Sequence, residues 1–311
     1  MNVIEGIVPV MLTPFNTGNG IDYPGLERLI EWYLEKDVDA LFAVCQSSEM
    51  LFLSLQERVD LARFVVEKVA GRCPVIASGH ISDDINDQIN ELTAMAETGI
   101  DALVLVTNHL DPMHQGSDTF FSTLHTLLEV LPATLPLGLY ECPAPYRRLL
   151  TDEELVHCAQ TGRFVVLKDV SCDLPTVERR VKLTADTPLN IINANAAIAF
   201  PAMQAGSKGF SGVFTNFHPE LYKWLYSHRQ DSSPFTQELA TFLSLAAVTE
   251  TLGYPKNAKI YHQRLGTFHH EFCRSNKDDV LEKYWALSVI LDQIHQGTAH
   301  YQEKIRQGMN H

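Results

Sequence analysis

The sequence lacks an excess of basic residues. It has 24 Lys and Arg against 38 Asp and Glu, a formal net charge of −14. Nucleic acids and anionic membranes are bound by concentrated Lys and Arg, so we expect neither as a partner. The chain also lacks an apolar run of membrane-spanning length, and its start, MNVIEGIVPV, lacks the regions of a secretion signal. We therefore expect a cytoplasmic protein.

Cysteine is sparse, and no two cysteines form a C-x-x-C pair. The six cysteines are Cys45, Cys73, Cys142, Cys158, Cys172 and Cys273. Because they lie far apart, we expect free thiols in a reducing compartment.

The chain contains eight short apolar runs that are typical of buried strands. They are IVPVML from residue 7, ALFAVC from 40, VIASG from 75, ALVLVT from 102, PLGLYE from 136, FVVLK from 164, LNIINA from 189 and GFSGVF from 209. Successive runs start 20 to 35 residues apart, which is room for one strand and one helix. Strands that are apolar throughout belong to parallel sheets covered on both faces. Eight of them predict an α/β fold, a (β/α)8 TIM barrel, over residues 1–232.

Helical patterns fill the segments between the runs and the C-terminal part of the chain. LQERVDLARFVVEKVAG and DDINDQINELTAMAETG carry apolar residues at three- and four-residue spacing and end on Gly71 and Gly99. After residue 214 the strand pattern stops, and LEKYWALSVILDQIHQG predicts a helix that ends at Gly297. We predict a C-terminal helical domain over residues 233–311.

Polar residues follow the apolar runs, and in such barrels the active site forms from the loops at the C-terminal ends of the strands. The candidates at these ends are Thr13, Gln46, Ser47, Ser48, Glu49, His80, Asn108, His109, Tyr140, Glu141, Lys168, Asp169, Asn193, Asn195 and the segment 211–216.

Lys168 ends the apolar run FVVLK. On this segment alone, a lysine that extends its amine into solvent is as good an interpretation as a functional one. In the functional interpretation, partial burial disfavours the ammonium form, lowers the pKa and leaves a neutral amine that attacks a ketone. The resulting iminium stabilises a carbanion at the adjacent carbon, which is the chemistry of aldol cleavage and condensation.

Two further features lie near Lys168 in the predicted barrel. Tyr140 ends the preceding strand, about 4.8 Å away, so its phenol could relay protons at the substrate, although it could also be an aromatic plug over the core. The turn CQSSEM follows the second strand, and its N–H groups and hydroxyls suit a carboxylate. Ser47 or Ser48 could equally serve as a helix cap.

Several motifs of the chain resemble those of a known family. GIVPVMLTPF, CQSSE followed by LSLQER, GLYECP, VVLKDVS and GSKGFSGVFTN occur in the order and spacing of the dihydrodipicolinate synthase and N-acetylneuraminate lyase family. The resemblance covers nearly the whole chain. It implies a class I aldolase that handles pyruvate or another 2-oxo acid on a (β/α)8 barrel with a C-terminal helical domain. It also implies no cofactor and a homo-oligomer, a tetramer or a dimer.

Residue by residue, the resemblance implies Lys168 as the Schiff-base lysine and Tyr140, in the pattern Tyr140 to Pro143, as the proton relay. Gln46 and Ser47 stand where the family has two hydroxyl residues that cradle the pyruvate carboxylate. Ser211 stands where a backbone carbonyl approaches the substrate.

The turn departs from the family pattern G-[ST]-[ST]-G-E. Cys45 and Ser48 replace its two glycines, and Gln46 replaces its first hydroxyl residue, so the proton relay is altered. After the fourth strand the chain reads Asn108-His109-Leu110, so the tyrosine that synthases contribute across a dimer interface is absent.

The second-substrate site matches neither of the well-known members. Pro145 stands in place of the synthases' carboxylate-binding arginine, with Arg147 and Arg148 shifted but close, and Ala194-Asn195-Ala196 replaces the acid pair with which sialic acid lyases grip sugar hydroxyls. Five residues are predicted to select the acceptor, each of which could equally be an ordinary polar loop residue. They are His80, His109, Glu141, Asn193 and Asn195.

The chain is thus predicted to be a class I aldolase or lyase that forms or cleaves a 2-oxo acid with pyruvate as one fragment. A synthase of the dihydrodipicolinate type and a dehydratase of 2-keto-3-deoxy sugar acids are alternatives within the family. A class II aldolase with His80, His109 and Glu141 as metal ligands is a rival, but no short-spaced His/His/Glu motif is present. A non-catalytic 2-oxo acid-binding protein is a rival that the lost glycines favour and the retention of Lys168 and Tyr140 opposes.

Overall fold

The computed structural model describes residues 3–308 and contains eight β-strands. They are β1 (Gly6–Ile7), β2 (Leu41–Phe42), β3 (Val75–Ser78), β4 (Ala102–Val106), β5 (Leu137–Tyr140), β6 (Phe164–Asp169), β7 (Asn190–Asn193) and β8 (Gly209–Phe210). Each strand overlaps one of the eight apolar runs, so the strand predictions are confirmed.

Helices α1 to α8 each follow one strand, and α9 to α12 form the C-terminal part. The helices are α1 (Tyr23–Glu35), α2 (Leu55–Val69), α3 (Ile85–Ala96), α4 (Ser117–Val130), α5 (Asp152–Gln160), α6 (Leu174–Leu183), α7 (Ala199–Gln204), α8 (Pro219–Ser227), α9 (Pro234–Ala246), α10 (Lys256–Arg264), α11 (Val280–Lys283) and α12 (Leu287–Arg306). Across residues 3–308, none of them has the length and apolar character needed to cross a membrane.

The division of the chain between residues 232 and 233 falls in the loop between α8 and α9. As a domain boundary it stays a prediction. Residues 1–2 of the first predicted domain and 309–311 of the second lie outside the described residues.

The strands form one parallel sheet in the order β1-β8-β7-β6-β5-β4-β3-β2. Between the first and second strands, Val10 and Phe42 form a parallel bridge. Phe42 accepts a hydrogen bond from Met11 N at 3.0 Å and donates one to Pro9 O at 2.9 Å. The ring of strands therefore closes, and the predicted (β/α)8 TIM barrel is confirmed.

Apolar side chains fill the barrel around its axis. They belong to Val8, Phe42, Ile76, Val104, Val166 and Ile192. Lys168 and Ser211 border the same interior. Burying one such apolar side chain stabilises the folded state by roughly 1.5–3 kcal/mol. Because the barrel interior is filled with side chains, the amine of Lys168 lies on a packed apolar core.

Local sequence signals set where several helices begin and end. At the start of α2, Ser54 Oγ accepts a hydrogen bond from Glu57 N at 3.2 Å, and the Glu57 carboxylate accepts one from Ser54 N at 2.9 Å. This is a capping box. Gly71 and Gly99 follow α2 and α3 with φ of +75° and +87°, a conformation that glycine adopts without strain. Both helices end before these glycines, as predicted.

The prediction that the last long helix ends at Gly297 is wrong. Helix α12 continues through Gly297 to Arg306. A Cβ atom at residue 297 would lie 2.5 Å from the ring of Phe242 on α9. The glycine therefore allows two helices to pack closely, and it does not act as a terminator.

The C-terminal part covers the side of the barrel where the strands end. Ser244 on α9 donates a hydrogen bond to Ala196 O, in the loop after β7, at 3.3 Å. Lys259 on α10 forms an ion pair with Glu49 in the turn after β2. These contacts place the short 3-10 helix Ala247–Thr251 beside the ends of the strands.

Candidate active site

A cavity of about 930 Å³ opens at the C-terminal ends of the strands. Its wall consists of the turn after β2, the ends of β5 and β6, the loops after β7 and β8, and parts of the segment 244–278. Several of the residues predicted from the sequence line it. They are Gln46, Ser47, Glu49, Tyr140, Lys168, Asn195, Ser211 and residues 212–214.

Lys168 directs its side chain into the barrel. It lies on β6 opposite Tyr140 of β5, and only 8% of it is exposed. Its Nζ is 4.3 Å from the centre of the Tyr140 ring and 5.6 Å from the centre of the Phe42 ring. The geometry therefore favours the functional interpretation over a lysine that extends into solvent.

Burial lowers the pKa of the Lys168 amine below its ordinary value of 10.5. Cys45, Cys142 and Glu250 oppose this shift when they are ionised, because negative charge near the amine favours its protonated form. Among residues 3–308, Lys168 forms no ion pair with a carboxylate. The amine is thus more often neutral, and hence nucleophilic, than an exposed lysine at the same pH.

The phenol of Tyr140 is buried beside this amine. Burial raises its pKa well above 10, and Cys142 and Cys45 raise it further. Its hydroxyl is in hydrogen-bond contact with the thiol of Cys142, whose Sγ donates to Gln46 Oε1 at 3.5 Å. Cys142 thereby connects the phenol to the turn after β2, a link that the sequence motifs did not indicate.

The turn after β2 keeps a compact shape without the family's glycines. Cys45 has an extended backbone with φ of −153°, which any residue adopts. Ser48 Oγ accepts a hydrogen bond from Cys45 N at 2.8 Å and donates one to Cys45 O at 2.7 Å. Ser48 is therefore the third residue of the 3-10 helix Gln46–Ser48 and bonds back to its N-cap residue, Cys45, whereas Gln46 and Ser47 line the cavity.

A second phenol, that of Tyr254, lies against this turn. Tyr254 precedes α10, lines the cavity and is in hydrogen-bond contact with Ser47. Its hydroxyl also accepts a hydrogen bond from Asn216 Nδ2 at 3.1 Å. Tyr254 follows the last strand by more than 40 residues in the chain. It is therefore not among the candidates that were selected at the C-terminal ends of the strands.

Further charged residues of the cavity come from segments that do not directly follow a strand, so they were not selected as candidates from the strand ends. Glu250, Lys277 and Asp278 line it from the C-terminal part, and Arg147 lines it from the loop after β5. The guanidinium of Arg147 donates to the carbonyls of Val170 and Ser171 at 3.1 and 3.3 Å. Arg148, in contrast, is buried in ion pairs with Asp111 and Glu154.

Glu141 lies outside the cavity wall, although it follows Tyr140 directly. It is fully buried, and both of its carboxylate oxygens accept hydrogen bonds from Arg180. The same oxygens accept the N–H groups of Leu150 and Val170 at 2.8 and 3.0 Å. The contacts bind together the loops after β5 and β6, so Glu141 supports the wall from behind.

His80 and His109 also lie outside the cavity wall, 5.4 Å apart between ring centres. His80 Nε2 accepts a hydrogen bond from Val106 N at 2.6 Å, and burial followed by His109 lowers the pKa of His80 to about 3. His109 Nδ1 is 2.8 Å from Asp83. Within residues 3–308, no group of three or more His, Cys, Asp or Glu could hold a metal ion, so these two and Glu141 do not converge.

Asn193, Asn195 and Ser211 organise the loops after β7 and β8. Asn193 is buried and does not line the cavity, and its side-chain amide donates a hydrogen bond to Asn195 O at 2.7 Å. Asn195 caps the 3-10 helix Ala196–Ile198 through its side-chain oxygen while lining the cavity. The Ser211 hydroxyl donates to Val8 O at 2.8 Å. These residues thus shape the wall through contacts within the protein.

Comparison with known proteins agrees with this arrangement. The model of the Dihydrodipicolinate synthetase family matches residues 3–276. A 4-hydroxy-tetrahydrodipicolinate synthase of Bacillus velezensis is 29% identical over 216 residues, covering 68% of this chain and 71% of that enzyme. A synthase of the same name from Coxiella burnetii is 28% identical over 222 residues, covering 71% of this chain and 73% of that enzyme.

Solved structures share the fold at lower sequence identity. A dihydrodipicolinate synthase of Bacillus anthracis superposes with a TM-score of 0.84 at 23% identity, covering 94% of this chain and 99% of that one. The protein CdNal of Clostridium difficile, solved in complex with mannosamine, gives a TM-score of 0.82 at 16% identity, covering 95% and 99%. Since the family model matches most of the chain, this protein belongs to the dihydrodipicolinate synthetase family, a family of class I aldolases.

Proposed function

We propose that the protein is a Schiff-base-forming lyase that forms or cleaves a 2-oxo acid, with pyruvate as one fragment. One observation carries the proposal: a buried amine, that of Lys168, lies 4.3 Å from the ring of Tyr140 at the base of a large cavity. Burial lowers its pKa and no carboxylate of the described chain pairs with it. An amine of this kind attacks a ketone readily.

In the direction of cleavage, Lys168 attacks C2 of the 2-oxo acid, and loss of water gives an iminium. Tyr140 receives the proton of the C4 hydroxyl while the C3–C4 bond breaks, and the aldehyde leaves. The bonding electrons enter the iminium and give an enamine. Protonation at C3 and addition of water then release pyruvate and the free amine. The same steps in reverse give condensation.

Tyr140 acts in this scheme as a neutral relay. The raised pKa of its phenol keeps it protonated at neutral pH, so it passes on its own proton as it receives one from the substrate. The thiol of Cys142 is the hydrogen-bond partner already in contact with it.

The turn Gln46–Ser48 would hold the carboxylate of the 2-oxo acid. Ser47 lines the cavity and contacts the phenol of Tyr254. In the complex the hydroxyl of Ser47 would donate to the substrate carboxylate, together with N–H groups of the turn. Tyr254 would act here as a positioning residue.

Two related enzymatic functions differ from this proposal in the second substrate or in the bond that breaks. A synthase of the dihydrodipicolinate type and a dehydratase of 2-keto-3-deoxy sugar acids would use Lys168 and Tyr140 in the same way. A protein that binds 2-oxo acids without turnover gains no support from the lost glycines, because the turn is compact without them. We therefore retain the aldolase as the best supported function.

We also propose a homo-oligomer, a tetramer or a dimer, in the cytoplasm, with no nucleic acid or membrane partner. The family and the charge of −14 support these statements. Light scattering of the purified protein would test the assembly, and a monomeric mass would contradict it.

Reductive trapping tests the covalent step. Sodium borohydride with pyruvate should add one reduced pyruvate group per chain, on the peptide that contains Lys168. The Lys168→Arg variant should stay unmodified, whereas Lys208→Arg, which alters an exposed lysine outside the cavity, should be trapped like the original protein. An unmodified original protein, or an adduct that persists in Lys168→Arg, would refute the proposal.

A further inference from the structure

Glu250 is an unpaired carboxylate in the wall of the cavity. It belongs to the 3-10 helix Ala247–Thr251 and lines the cavity together with Lys168. The other acidic residues of the wall have partners, since Glu49 pairs with Lys259 and Asp278 pairs with Lys283. Within residues 3–308, the carboxylate of Glu250 forms neither a hydrogen bond nor an ion pair.

Glu250 lies near the reacting part of the cavity. The residue is exposed and lines the cavity wall, and partial burial of its carboxyl raises its pKa, while Lys168 opposes that shift. Glu250 in turn raises the pKa of Lys168 and of the phenol of Tyr254. Both of these groups belong to the proposed pyruvate site, so Glu250 lies beside it.

Glu250 also lies on the side of the cavity that the loop after β7 forms. The loop after β7 reads Ala194-Asn195-Ala196 and contributes no carboxylate to the wall. Helix α9 packs on this loop through Ser244 and Ala196 and leads directly into the segment of Glu250. An acid of the C-terminal part is thus present on this side of the cavity.

The chemistry of the intermediate determines what Glu250 can bind. The carboxylate of pyruvate would be repelled by Glu250 and is better placed at the turn Gln46–Ser48. The iminium on Lys168 keeps one positive charge near Glu250, so the carboxylate needs a hydrogen-bond donor more than a second cation. Arg147 and Lys277 line the same cavity and disfavour an ammonium group there.

We infer that Glu250 is a specificity-determining residue that accepts a hydrogen bond from a hydroxyl group of the acceptor, and that the acceptor is an uncharged hydroxyaldehyde. The inference rests on the proposed function and adds the chemical class of the second substrate to it. An aldehyde without hydroxyls would leave the carboxylate of Glu250 unpaired in the complex. The carboxylate of an acidic aldehyde would be repelled by that of Glu250.

Condensation of pyruvate with a matched pair of aldehydes tests this inference. D-glyceraldehyde and propionaldehyde share a carbon skeleton and differ in two hydroxyl groups, and glyoxylate adds an acidic aldehyde. We expect the original protein to prefer glyceraldehyde in kcat/KM. In the Glu250→Gln variant, the ratio of kcat/KM for glyceraldehyde to kcat/KM for propionaldehyde should fall about tenfold, as expected for the loss of one hydrogen bond to a charged group.

Two controls separate this result from other causes. Glu282→Gln makes the same substitution at an exposed residue of α11 outside the cavity and should keep the preference. Trapping of pyruvate by borohydride should persist in Glu250→Gln, because that step involves no acceptor. It also shows that the variant is folded.

The outcomes that would overturn the inference are distinct from those that would overturn the proposed function. A preference for propionaldehyde or glyoxylate in the original protein, no turnover of any of the three, an unchanged preference in Glu250→Gln, or loss of pyruvate trapping in that variant would overturn the role of Glu250. Failure of the original protein to trap pyruvate would instead overturn the proposed function.

Discussion

Two buried lysines of this protein have similar surroundings but different partners. Lys168 lies 4.3 Å from the ring centre of Tyr140, and Lys259 lies 4.4 Å from the ring centre of Phe15. Lys259 is fully buried, forms an ion pair with Glu49 and donates to Phe272 O at 2.8 Å. Lys168 has no such carboxylate within the described chain. Burial beside an aromatic ring therefore does not by itself decide whether an amine has a carboxylate partner.

The difference lies in what stabilises the ammonium form. At Lys259, a carboxylate and a carbonyl replace the water that burial removes, so the amine is held as part of the structure. At Lys168, burial acts without that compensation and lowers the pKa. The first region joins the C-terminal part to the barrel, and the second belongs to the proposed reactive site.

The largest expected effect comes from Lys168→Met. Removing the amine should abolish pyruvate trapping and lower kcat on the order of 10³-fold or more, because the covalent step is lost. The free energy of unfolding should stay equal or rise, since a buried amine without an ion pair is replaced by an apolar side chain. Chemical denaturation beside the activity assay would check both, and a marked loss of stability would contradict the comparison.

Lys259→Met should have the opposite signature. It leaves the buried carboxylate of Glu49 without its cation, so we expect a loss of about 3–5 kcal/mol in the free energy of unfolding. Urea denaturation would measure it. The double variant Lys259→Met with Glu49→Gln should recover part of the loss, because the uncompensated charge is then removed. Stability close to that of the original protein in the single variant would show that the pair is dispensable.

Tyr140→Phe sharpens the comparison, because it makes the ring beside Lys168 identical to the one beside Lys259. The ring contact stays and only the hydroxyl is lost, so the fold and pyruvate trapping should persist. Turnover should fall by about 10²–10⁴-fold, the usual contribution of a proton-transfer group. Steady-state kinetics of cleavage would measure it, and turnover within a factor of a few of the original protein would remove Tyr140 from the mechanism.

The smallest effect is a change in pH dependence in Glu250→Gln. The groups that face the Lys168 amine are Tyr140, Cys45, Cys142 and Glu250. Burial raises the pKa of the phenol and both thiols, so these three groups are neutral near pH 7. Since Glu250 raises the pKa of Lys168, its removal lowers that pKa further.

The sign of this change is therefore defined. The rate of pyruvate trapping falls as the pH drops through the pKa of Lys168, because the amine is then protonated. In Glu250→Gln this acid limb should move to lower pH, and the initial rate of trapping measured across pH would show it. A limb that stays in place or moves to higher pH would mean that the carboxylate does not act on the amine.

Much of the fold and part of the site could be predicted from the sequence. The eight apolar runs indicated the strands, because a strand covered on both faces must be apolar throughout. The ends of those strands then indicated Lys168 and Tyr140. The prediction at Gly297 failed because a glycine that ends a helix and a glycine that lets two helices approach look alike without the packing partner, Phe242.

The sequence by itself determined the barrel and the place of Lys168 at the end of its sixth strand. The reason is that each strand is encoded by an apolar run of a few consecutive residues. Only the tertiary structure decided that Glu250 and Tyr254 line the same cavity, since they lie more than 80 residues after Lys168 in a helical segment. It also showed that Glu141 is held by Arg180 behind the wall, although it directly follows Tyr140. Neighbouring residues of a strand point to opposite faces, and helices far along the chain pack onto the open end of a barrel, so distance in sequence does not measure distance from the reacting amine.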